Sequence, residues 1–194
     1  MKRANAGGRG GIFTLSDFLD VAGRAAVDQA LSRLVKGGML RRLARGLCNF
    51  PKVHPKLGPL SPDDVAQALA RETGSQVQIA GARAANALGL STPLPAKSCY
   101  LTDGPSRRVV LGKRVVDLRH TSPKHLIAPG SPAGTVVQAL RHLGPLRTTD
   151  VVWVAARRLS ASDKKTLATS AVQAPAWMRP TLVSIANMSG VVDG

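Results

Sequence analysis

The side chains of this sequence whose types and spacing could do chemistry are mainly arginines. Arg24, Gln29, Ser32, Arg33 and Lys36 share one short stretch, and Arg41, Arg42 and Arg45 follow it closely. A second group, Arg107, Arg108, Lys113, Arg114 and Arg119, crowds into another stretch. Each guanidinium offers five donors in a planar fork that matches phosphate or carboxylate, so the chemistry in view is recognition of anions. Residues for making or breaking bonds are poorly placed. None of His54, His120, His125 and His142 belongs to an HExxH pair, and Cys48 and Cys99 stand 51 positions apart, so no metal-binding spacing is present. No serine sits in a G-x-S-x-G turn. Asp63-Asp64 opens what reads as a helix, where two carboxylates answer the helix dipole rather than act as an acid–base pair. The glycine-rich start lacks the Lys-Ser/Thr of a phosphate loop. The expectation is a non-enzyme with no metal and no cofactor.

The chain of 194 residues carries 27 Lys and Arg against 11 Asp and Glu, a net charge of +16. Such an excess repels itself in the folded state, and a polyanionic partner is its natural counterpart. The density is highest at the N-terminal end, where residues 1–56 hold 11 basic and 3 acidic side chains. Genome-wide base composition is the competing source of an Arg- and Ala-rich chain with a single Glu. Hydrophobic residues make up 44%, enough to build a core. The longest uncharged apolar runs, such as 151–156, fall far short of the roughly 20 residues a membrane helix needs. No basic helix carries bulky apolar anchors for an anionic membrane surface. No apolar segment follows the basic start MKRANAGGRGG, so no secretory signal is expected. Two cysteines in this length read as free thiols, which places the protein in the cytoplasm.

The elements that must position the arginines follow from periodicity. Thr14 or Ser16 caps a short helix through Leu19, and a second helix runs from Arg24 to Lys36. On it Val27, Leu31, Leu34 and Val35 recur at helical spacing, with Arg24, Asp28, Gln29, Ser32, Arg33 and Lys36 mostly opposite. Gly37-Gly38 stops it. Two short runs around Ala44-Arg45-Gly46 form a hairpin. Helix, turn, helix and basic hairpin together are the layout of a winged helix-turn-helix, whose second helix enters the major groove while hairpin arginines reach phosphates. This unit spans residues 12–52, after a loose basic start over 1–11.

A proline-containing linker over 53–60 leads to a mixed α/β region over 61–194, and the fold class is α+β. There Ser61-Pro62 starts a helix to about Glu72. Val77 and Ile79 mark a strand, 82–88 a short helix and 98–102 a strand. Residues 107–111 and 114–119 make a hairpin around Gly112-Lys113. Residues 135–143 are helical. The segment 151–154 reads equally as helix or strand. The six aromatics include Phe18, Trp153 and Trp177, all expected in the core, which leaves little for stacking bases. A basic RNA- or ribosome-associated protein is therefore the alternative reading rather than the first.

The run FTLSDFLDVAGRAAVDQALSRLVKGGMLRRLARGLCNFPK resembles the N-terminal domain of AbiEi-type antitoxins. The later GARAANALGLSTPLPAKSCYLTDGPSRRVVLG is similar to the C-terminal domain of the same family. The resemblance implies a winged-helix domain followed by an antitoxin domain. It implies a repressor of its own operon, with operator DNA as partner and a nucleotidyltransferase-like toxin countered by it. Arg24, Gln29, Ser32 and Arg33 match the family's recognition-helix face, and Arg41, Arg42 and Arg45 match its wing. In two respects the sequence departs from the family. A full helix usually precedes FTLSDFL, and residues 1–11 carry no amphipathic pattern. Cys48 stands where an aromatic is usual.

Overall fold

A computed structural model describes residues 10–51, 60–92 and 97–188. The expected linker therefore lies outside the described residues except for Leu60, as do residues 1–9 of the basic start. Strand β1 (Ile12–Thr14) comes first, an element too short to announce itself by alternation. The short helix expected next is a single 3₁₀ turn, Leu15–Phe18. Asp17 anchors it by accepting from the Thr14 backbone N–H at 2.7 Å.

Helix α1 spans Arg24–Lys36, the bounds its apolar spacing predicts. It buries Val27 and Leu31 against Leu40 and Cys48, with Leu34 and Val35 packed alongside. Strands β2 (Arg41–Ala44) and β3 (Leu47–Asn49) form the hairpin. Its turn is two residues, Arg45-Gly46, because Ala44 pairs directly with Leu47 after an irregularity between Arg42 and Ala44. Gly46 has φ +73°, a conformation that costs side chains with a Cβ.

The strand order of this first sheet is β1-β3-β2, with Phe13 opposite Cys48. Every residue of β1 and β3 is buried. Successive side chains on a strand point to opposite faces, so both faces of the sheet must be covered. Cys48 faces the α1 cluster. Ile12 and Leu47 instead join Val65, Ala66 and Leu69 of helix α2 (Pro62–Thr73). The second helical layer, which residues 1–11 have no pattern to supply, thus comes from the C-terminal side of the sheet. Arg71 of α2 reinforces the contact by donating to the Ile12 carbonyl at 3.3 Å.

Helix α2 starts where Ser61 predicts, its Oγ accepting from the Asp63 N–H at 3.2 Å. Its inner stripe also packs on a second sheet built from β4 (Val77–Ile79), β5 (Lys97–Thr102), β6 (Arg107–Leu111) and β7 (Arg114–His120). The order is β4-β5-β7-β6, with β5 and β7 parallel and the other pairs antiparallel. Val77, Tyr100, Val109, Val116 and Leu118 face α2. One apolar cluster therefore joins the first sheet, α2 and the second sheet.

Short helix α3 (Ala82–Ala87) leads from β4, and α4 (Pro132–Leu143) follows the second sheet. Helix α4 begins a turn before Thr135, because Ser131 caps it by accepting from Gly134 N at 3.0 Å. Helices α5 (Thr148–Arg158), α6 (Ala161–Ser170) and α7 (Arg179–Asn187) complete a separate helical core around Leu140, Leu167 and Leu182. Residues 151–154 are thus helix, not strand. Trp153 and Trp177 are not core residues: they are 59% and 41% exposed. Helix α5 turns Val151 and Ala155 inward, and Trp153, two positions from each, faces solvent. In the last 3₁₀ turn it is Met178 that is buried. The architecture is α+β, with two sheets and a helical layer.

Candidate nucleic-acid interface

Helix α1 presents its polar residues on two stripes. Gln29, Arg33 and Lys36 recur at i, i+4 and i+7 and are exposed. Arg24, Asp28 and Ser32 recur at i, i+4 and i+8 and turn toward the hairpin, where they line a cleft. Arg42 crosses from β2 to donate to Ser32 Oγ at 3.3 Å. Arg41 donates to Asn49 Oδ1 across the hairpin at 3.2 Å. Arg45 occupies the hairpin turn, its side chain exposed. Among the described residues no carboxylate forms an ion pair with Arg24, Arg33, Lys36, Arg41, Arg42 or Arg45. The helix and the hairpin together thus offer cations without ion-pair partners among the described residues, with the Asp28 carboxylate beside Arg24 in the cleft.

The cleft between α1 and the hairpin has a volume of about 840 Å³. Its far wall comes from beyond the first sheet, through Glu72 of α2 and Arg107 of β6. Arg107 pairs with the Glu72 carboxylate and also donates to the carbonyl of Arg45. The tip of the first hairpin is thereby fastened to the second sheet.

The second basic group does not form one surface. Arg107 lies on the α2 side of β6 with Val109, and its guanidinium makes the two contacts just described. Arg108 lies on the opposite side, across from Asp117. Arg119 is exposed but paired with Asp117 at 3.0 Å. Asp117 also accepts from Lys97 at 2.9 Å, and these two cations, Lys97 foremost, hold its carboxyl below the usual carboxylate range. Lys113, in the turn, and Arg114 are exposed at the far end of the hairpin. Strand alternation, which the clustering in sequence conceals, divides the five.

Other groups that could do chemistry are buried or engaged with neighbours. Asp63 does more than answer a helix dipole: its carboxylate accepts from the Tyr100 hydroxyl at 2.6 Å and binds Arg83. Burial, then the bond to Asp63, pushes the Tyr100 phenol far up. Burial also raises both thiols, Cys48 and Cys99, away from the reactive thiolate. Burial, with Arg141 and Lys124 nearby, holds His125 below the ordinary histidine range. Among the described residues no group of three or more His, Cys, Asp or Glu is placed to hold a metal ion. No described helix is long and apolar enough to cross a membrane.

No curated protein and no solved structure matches the chain. Residues 2–166, most of its length, match the family of unknown function DUF6088. The chain belongs to DUF6088.

Proposed function

We propose that this chain binds double-stranded DNA through α1 and the β2–β3 hairpin, used as a winged helix-turn-helix. The observation that carries this reading is the meeting of Arg24 from α1 with Arg42 and Arg45 from the hairpin along one cleft, none of the three in an ion pair among the described residues. Gln29, Arg33 and Lys36 occupy the stripe of α1 that enters the major groove, where amide and guanidinium side chains read base edges. At 13 residues α1 is about 20 Å long, enough to lie across a groove about 12 Å wide. Arg42 and Arg45 flank it as phosphate contacts, with Arg41 on the other face of β2 as a third, and such contacts position the helix without reading sequence. The chain has no catalytic role in this reading. With the AbiEi-type resemblance, it represses its own operon in the cytoplasm and counters a nucleotidyltransferase-like toxin.

The exposed Trp153 and Trp177 favour the alternative of RNA binding, since aromatics stack on unpaired bases. They stand in the helical layer, however, outside α1 and the β2–β3 hairpin. The test is a competition at fixed salt between a random 25-base-pair DNA duplex and the RNA duplex and single strand of the same sequence. This account predicts tightest binding to duplex DNA. Equal or tighter binding to either RNA contradicts it.

A further inference from the structure

We propose that the cleft between α1 and the hairpin is a composite phosphate site, in which the second sheet contributes Arg107 to the DNA interface and Glu72 limits its affinity. This inference rests on the DNA-binding reading and assigns a site within it. Four guanidinium groups line the cleft from three separate elements: Arg24 from α1, Arg42 and Arg45 from the hairpin, and Arg107 from β6. Two carboxylates oppose them. Asp28 forms no ion pair among the described residues, and Glu72 pairs with Arg107 alone. The cleft therefore keeps an excess of positive charge concentrated in about 840 Å³.

A backbone phosphodiester fits this excess. It bears one negative charge on two free oxygens, which the planar fork of an arginine can bind in pairs. Arg107 spends Nη1 on Glu72 and Nη2 on the Arg45 carbonyl. Of its five N–H groups those two bonds use two, so donors remain for a third acceptor. Its side chain is 29% exposed, reachable from the cleft yet held in orientation. Ser32 adds a hydroxyl on the facing wall and already holds Arg42. Glu72 has opposite effects on the two tasks: it orients Arg107, and its charge repels the incoming phosphate. The DNA-facing surface on this account extends beyond residues 12–52 onto the second sheet.

The experiment measures binding of a random 25-base-pair DNA duplex across a salt series, using the full chain and its Arg107→Ala and Glu72→Gln variants. Thermal unfolding reports that each variant is folded. Loss of one phosphate contact in Arg107→Ala reduces the slope of log K against log salt by about 0.9. Glu72→Gln keeps an acceptor for Arg107 but removes the repelling charge, so it tightens binding by roughly three- to tenfold at low salt. If Arg107 and Glu72 only hold the hairpin in place, Glu72→Gln weakens binding and the Arg107→Ala slope stays at the wild-type value. Either result overturns the proposal. Should Arg107→Ala fail to fold, the sign of the Glu72→Gln effect decides alone. A wild-type chain that binds no duplex defeats the DNA-binding reading together with this one, whereas wild-type binding with the wrong variant signs defeats this one only.

Discussion

Arg107 on the second sheet donates to the backbone carbonyl of Arg45, 62 positions earlier in the turn of the first hairpin. The same guanidinium is paired with Glu72, the chain's only glutamate. Two sheets that belong to different parts of the sequence are thus tied at the tip of the element proposed to touch DNA. The same two sheets also share the apolar cluster in which Ile12 and Leu47 meet Val65 and Leu69.

That shared cluster predicts how the N-terminal part behaves alone. An isolated fragment of residues 1–58 loses α2 and exposes Ile12 and Leu47, each worth about 1.5–3 kcal/mol when fully buried. A layer of the core is then missing. The fragment should give no cooperative thermal transition, while the full chain gives one. A cooperative transition in the fragment, at a midpoint typical of small domains, would show that α2 is dispensable to the first sheet.

The bond between Tyr100 and Asp63 predicts a stability effect distant from the arginines. Tyr100 is 2% exposed and its hydroxyl donates to a carboxylate, the stronger kind of hydrogen bond. Tyr100→Phe should cost about 1.5–3 kcal/mol in denaturant unfolding. Asp63→Ala should cost more, since it leaves the buried hydroxyl without its acceptor and releases Arg83. Variants as stable as the wild type would mean that water satisfies these groups equally well.

The environment of His125 gives a pH dependence. Arg141 Nη1 donates to His125 Nδ1 at 2.6 Å, which requires that nitrogen to be unprotonated. The folded-state pKa of His125 is lowered, by burial first and then by Arg141 and Lys124. Its contribution to stability is therefore full above the unfolded value of about 6.5 and is lost as pH falls through the lower folded value. Thermal midpoints at pH 7.5 and pH 5 should fall further apart in the wild type than in His125→Gln. An equal drop in both proteins would remove His125 from the pH response.

Helix α1 was legible because Val27, Leu31, Leu34 and Val35 repeat at helical spacing and two glycines end it. Helix α2 was legible from Ser61-Pro62, and the β6–β7 turn from Gly112, whose φ is +63°. Three things were not. Strand β1 is three residues long and exists by pairing with Leu47–Asn49, a partner that local pattern cannot name. The packing of α2 on the first sheet depends on both faces of β3 being buried, which reads from sequence only as a short run. The role of Arg107 depends on which side of β6 it occupies and on a contact 62 positions away, so its neighbours in sequence suggested a surface that strand alternation divides. For the site itself, the exposure of Arg24, Gln29, Arg33, Lys36, Arg41, Arg42 and Arg45 was legible, but the division of α1 into an outer stripe and a cleft-lining stripe needed the hairpin in place.

The claim that the α1–hairpin face binds duplex DNA is tested most directly by the salt dependence of that binding in the wild type and in the Arg41→Ala, Arg42→Ala, Arg45→Ala triple variant. Each arginine that neutralises a phosphate contributes roughly 0.9 to the slope of log K against log salt, so the triple variant should lose about 2–3 units, with affinity falling alike on every sequence. A slope equal to that of the wild type would contradict the account and leave these three arginines as solvated charges.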